Sequence, residues 1–102
     1  METEQKRTQE GKKKLLAALE VSLGIVTEAC EKADITRSRH YAWLQSDEDY
    51  KKSVDEIDSK FIDFAETSLK KQIKEGNTTA TTFFLRTRGR KRGYNEKQEI
   101  DL

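Results

Sequence analysis

No proline interrupts this chain of 102 residues, and its apolar side chains recur at steps of three and four. Without proline nothing forces a helix to break, and that spacing gathers side chains on one face of an α-helix. Leu15, Leu16, Leu19 and Leu23 make the first such face, which predicts a helix over 8–23 led in by Lys12, Lys13 and Lys14. Gly24 should end it, because glycine accepts the left-handed conformation that closes many helices. A short second helix follows over 25–33, with Val26, Ala29 and Cys30 turned inward. The chain then turns at Asp34, and Thr36 is placed to cap a third helix over 37–45.

From residue 46 the pattern lengthens. Tyr50, Val54, Ile57, Phe61 and Phe64 step by four, three, four and three, a heptad-like seam that Ile62, Leu69 and Ile73 extend. Ser46 and Asp49 resemble a capping box at its start, acids at 47–49 suit the positive end of the helix dipole, and Gly76 closes it. At about 1.5 Å per residue such a helix spans roughly 40 Å, more than a three-helix head can cover, so part of the seam should meet something else. A fifth helix over 78–87 brings Ala80, Phe83, Phe84 and Leu85 back as the second arm of an antiparallel hairpin. After it, glycines and charges without periodicity read as an extended basic arm.

The expected fold is therefore all-α: a head over 1–45, a helical hairpin for oligomerisation over 46–87 and a basic arm over 88–102. The residues assigned to oligomerisation are Tyr50, Val54, Ile57, Phe61, Phe64, Leu69, Ile73, Phe83 and Phe84. The composition agrees. Charged residues make up 38% of the chain and apolar ones 33%, enough for helices that each bury one stripe, or for a protomer that completes its core with copies of itself.

Several classes of function are disfavoured. The single cysteine, Cys30, cannot form an internal disulfide, which suits a reducing, cytoplasmic setting. No apolar run approaches the ~20 residues of a membrane span, and the charged N-terminus lacks the apolar core of a signal peptide. There is no phosphate-binding glycine loop, no nucleophile elbow and no Cys/His grouping with metal spacing, so neither an enzyme, a cofactor nor a metal site is expected. His40, Cys30 and Trp43 read as packed core residues.

The net charge of +1 hides an uneven distribution. Residues 46–75 carry nine acids and six bases, while 76–102 carry three acids and six bases, with Arg86, Arg88, Arg90, Lys91 and Arg92 crowded together. That cluster reads in three ways: a solvated tail, an arm on DNA phosphates or in a minor groove, or a segment docked on the acidic helix of a neighbouring subunit.

The stretch "DITRSRHYAWLQ" at 34–45 carries the main functional signal. Helix, tight turn, helix, with a small residue four before the turn and Ile35 plugging the gap, is the layout of a helix-turn-helix. His40, Trp43 and Leu44 sit where the third helix packs back. Thr36, Arg37, Ser38, Arg39 and Tyr41 are left outside, at the end that enters a major groove in this motif. Arginine there can reach guanine edges through two bonds, and the hydroxyls can reach phosphates or bases.

Taken together, "LEVSLGIVTEACEKADITRSRHYAWLQSDEDY", the long charged helix and "IKEGNTTATTFFLRTRGRKRGYNEKQEI" resemble the phage terminase small-subunit family of homeodomain-like helix-turn-helix proteins. The likeness runs from about 14 to 100, and its second block is the more specific part. It departs from the family in having Asp34 where glycine is usual. The resemblance implies recognition of viral double-stranded DNA, a homo-oligomer built through the central helices, and a terminase large subunit as partner. A dimeric helix-turn-helix transcriptional regulator and a structural oligomer that ignores DNA are the alternatives from other classes.

Overall fold

The computed structural model describes residues 3–94 as α-helices joined by short turns. They are α1 (Glu4–Val21), α2 (Val26–Ala33), α3 (Arg37–Ser46), α4 (Glu48–Lys74) and α5 (Thr78–Thr87), followed by a 3-10 turn at Arg90–Arg92. The fold is all-α, in keeping with the helical periodicity and lack of proline. No helix among the described residues is long and apolar enough to cross a membrane.

Capping side chains set most of the boundaries. Thr3 accepts a hydrogen bond from the Lys6 amide at 3.1 Å, which starts α1 earlier than the leucine pattern predicts. Thr36 accepts from the Arg39 amide at 3.2 Å, and Asn77 from the Ala80 amide at 2.8 Å. At the head of α4 the cap is Asp47, whose carboxylate accepts from the Asp49 and Tyr50 amides at 3.0 and 3.1 Å. Ser46 does not have that role: its hydroxyl donates back to the Ala42 carbonyl inside α3. A carboxylate one residue closer to the first turn meets the exposed amides of α4 better than a serine still engaged in the previous helix.

The chain divides into two compact units, one ending at Asp63 and the other beginning at Phe64. The core of the first is built from Leu15 and Leu19 of α1, Ala29, Cys30 and Ala33 of α2, Trp43 of α3, and Tyr50, Val54 and Ile57 of α4. The first half of α4 thus belongs to the head, which does not end at 45 as the spacing predicts. The oligomerisation role expected of Tyr50, Val54 and Ile57 is corrected with it. All three are under 10% exposed and spend their apolar surface inside their own chain. Phe61 also packs partly against this core. Leu23 is corrected too: α1 ends at Val21, Leu23 turns to φ 57°, and its side chain leaves the leucine face for solvent.

In the second unit Ala80 supplies the only fully buried side chain among the described residues. The Arg88 guanidinium stands 3.7 Å from the Glu66 carboxylate, so α5 doubles back along the last turns of α4 as the antiparallel hairpin expected. Leu69 and Ile73 are half-buried, whereas Phe64, Phe83 and Phe84 are exposed. The segment after α5 is not extended over its first residues. The Gly89 amide donates to the Phe84 carbonyl, and those of Arg92 and Tyr94 donate to the Gly89 carbonyl, forming a compact turn. A Cβ at Gly89 would lie 2.6 Å from the Leu85 carbonyl oxygen, so this turn requires glycine. The rest of the expected arm, 95–102, lies outside the described residues.

This division of the seam is testable by urea unfolding of dilute protein. Ile57→Ala should destabilise the head by about 2–4 kcal/mol, the range for emptying a buried aliphatic site. Phe64→Ala, at a side chain that is 67% exposed, should change stability by less than ~0.5 kcal/mol.

Candidate nucleic-acid interface

The turn between α2 and α3 is made by Asp34 in the left-handed conformation, φ 55° and ψ 47°. Its amide and that of Ile35 close onto the Glu31 and Cys30 carbonyls, leaving the chain free to reverse within two residues. Cys30 and Ala33 are buried beneath this turn, where larger side chains would hold α2 and α3 apart. Ile35 packs partly against the same core.

His40 and Trp43 fix α3 from behind. His40 is 1% exposed, and its Nδ1 shares a 2.7 Å hydrogen bond with the Tyr50 hydroxyl of α4. The Tyr50 ring meets His40 edge-on at 5.6 Å and Trp43 at 5.5 Å between centroids, so one tyrosine braces two residues of α3. Lys12 of α1 adds a clasp, 2.7 Å from the Asp47 carboxylate and 5.9 Å from the centre of the Trp43 ring.

With its rear held, α3 exposes Arg37, Ser38, Arg39 and Tyr41, and Thr36 is exposed at its cap. All five residues singled out in the sequence are exposed around the first turns of this helix. Neither arginine trails into solvent alone. Arg37 lies 5.7 Å from the Tyr41 ring centre and 3.4 Å from its hydroxyl, a contact that raises the guanidinium pKa further. The Arg39 guanidinium sits 5.1 Å from the Trp43 ring. Stacking of this kind restricts the rotamers of a long side chain before any ligand arrives. The N-terminus of α3 adds the positive end of the helix dipole, which suits a phosphate.

The second basic group, Arg86, Arg88, Arg90, Lys91 and Arg92, is exposed and falls in the other unit, around the end of α5. Sequence reasoning missed two features. Lys12 stands in the sequence as one of three leading lysines, yet it reaches Asp47 and Trp43. Val21, Leu23 and Ile25 are all exposed at the turn between α1 and α2, where the helical pattern assigns Leu23 to the core.

Burial gives the head a pH dependence. It pushes the His40 pKa below its ordinary 6.5, with the Asp58 charge partly opposing and Arg37 reinforcing. It pushes the Tyr50 hydroxyl up, so that group stays protonated. The unfolded chain therefore binds a proton more readily at His40 than the folded one, and the contribution of neutral His40, full above 6.5, is lost as pH falls below it. The urea midpoint should drop between pH 7 and 5, and His40→Gln should flatten that slope. An unchanged slope in the variant would place the titrating group elsewhere.

No protein-family model, curated protein or solved structure matches this chain.

Proposed function

We propose that the chain is a DNA-binding protein in which α3 enters the major groove of double-stranded DNA, and that several copies act together as a homo-oligomer. In this reading it is a terminase small-subunit-like component of phage DNA packaging, working in the cytoplasm of the bacterial host and handing DNA to a large subunit. One observation carries the DNA contact: α3 is locked from behind by His40 and Trp43 while its outer end carries two arginines, a serine and a tyrosine in solvent. The aromatic supports of Arg37 and Arg39 strengthen it, because a guanidinium held in advance loses less freedom when it bonds a base edge.

The packaging role rests on the sequence resemblance. The oligomer draws support from Ile62, Phe64, Phe83 and Phe84, large apolar side chains left exposed on α4 and α5. A head with one short recognition helix binds weakly alone, and joining several heads raises the effective concentration of each at the duplex.

The test is duplex binding by fluorescence anisotropy at several salt concentrations. Arg37→Ala with Arg39→Ala should weaken binding at least about tenfold, in line with ~1–3 kcal/mol per good arginine–guanine pair. Both side chains are exposed, so the helical signal and the urea midpoint should hold. Unchanged affinity in a folded double variant would overturn the role given to α3.

A further inference from the structure

The two units carry opposite charge. Residues 1–63 hold eleven bases and fourteen acids, a net of −3, and residues 64–102 hold nine bases and five acids, a net of +4. Each unit also leaves a group of apolar side chains in solvent. In the first they include Val21, Leu23 and Ile25, between 53% and 69% exposed at the turn from α1 to α2. In the second they include Phe84 and Tyr94, at 43% and 50%.

The α1–α2 turn is a built feature. Leu23 is held at φ 57°, a left-handed value that strains residues other than glycine, and Gly24 follows at φ 80°. Strain of this kind persists where the surroundings over-determine it, and it clusters where chains bind something. Carboxylates stand around the exposed trio. Asp58 crowds Gly24 so closely that a Cβ there would lie 2.7 Å from its oxygen. Glu20 and Glu28 flank the turn in sequence, and their lysine partners sit at 3.6 and 4.0 Å on exposed side chains. Pairs that long and that exposed contribute little, so both carboxylates remain open to other cations.

The end of α5 is the reverse in charge. The backbone bonds that close on Gly89 hold Tyr94 and the Arg90–Arg92 turn against the last residues of the helix. No acid occurs between Asn77 and Tyr94. One patch is aliphatic and anionic, the other aromatic and cationic. Either patch against its own copy sets like charges together, which costs affinity, whereas one against the other satisfies both apolar and charged groups.

We infer that copies of this chain associate through these unlike surfaces, the basic end of α5 in one copy seating on the α1–α2 turn of the next. The inference rests on the self-association proposed for this chain and not on the DNA contact. Because the two patches differ, each contact pairs unlike surfaces, and both patches are satisfied either by reciprocal pairing of two copies or by repeated addition of copies.

Charge exchange tests this in the full chain by sedimentation velocity over a range of concentrations. One variant carries Arg90→Glu and Arg92→Glu, a second carries Glu20→Lys and Glu28→Lys, and a third carries all four changes. All four side chains are exposed, so folding should survive. Each pair alone should raise the concentration needed for association about tenfold or more, and the four changes together should restore it. Leu23→Gly, which relieves the strained φ while removing apolar contact, should also weaken association without lowering the urea midpoint. Association that persists in either reversed pair, or fails to return in the combined variant, would overturn this interface alone. A wild-type chain that stays monomeric at every concentration would overturn the self-association reading with it.

Discussion

The corner at Asp47, where α3 gives way to α4, is the constraint on which the rest of the head depends. One carboxylate accepts the first amides of α4 and takes the Lys12 ammonium of α1 at 2.7 Å, so three helices are fixed at a single residue. The bond from Lys12, with those from the two amides, holds this carboxyl below its ordinary pKa. The corner also aims Tyr50, three residues on, into the core, where its hydroxyl reaches His40 and its ring meets Trp43. A buried histidine without that partner would leave a polar nitrogen unsatisfied in an apolar core, at a cost that a hydrogen bond of this length removes.

Functionally, this corner produces a division of labour along α3. Its inner side is committed to structure by His40 and Trp43, and its outer side is left to Arg37, Ser38, Arg39 and Tyr41. The division is not absolute, because Trp43 serves both sides: it packs inward against Tyr50 and supports the Arg39 guanidinium at 5.1 Å. A change in the core at this residue therefore reaches the surface proposed to meet DNA, which links the stability of the head to the geometry of its candidate interface.

Much of the head is legible in its residues. Thr36 as cap, Asp34 in the left-handed turn, and His40 and Trp43 facing inward all follow from local chemistry that few alternatives satisfy. The long seam is legible as a helix but not as a set of contacts. A step of four and three marks which side chains share a face, and Tyr50, Val54 and Ile57 share one with Phe64 without sharing its surroundings. Only the packing of α4 on α1, α2 and α3 separates them. Leu23 misleads for a related reason, since its spacing fits the leucine face while the chain unwinds just before it. Ser46 and Asp47 are adjacent candidates for one cap, and the choice between them depends on where α3 ends.

The role of α3 is tested most directly by amide hydrogen exchange across the chain, read by mass spectrometry with and without duplex DNA. Contact through α3 predicts that the duplex slows exchange at the α2–α3 turn and the first turns of α3, with the rear-facing half of α4 within the head unchanged. A duplex that binds while leaving 34–41 unprotected, or that protects only the basic end of α5, would contradict the assignment of α3 as the reading helix.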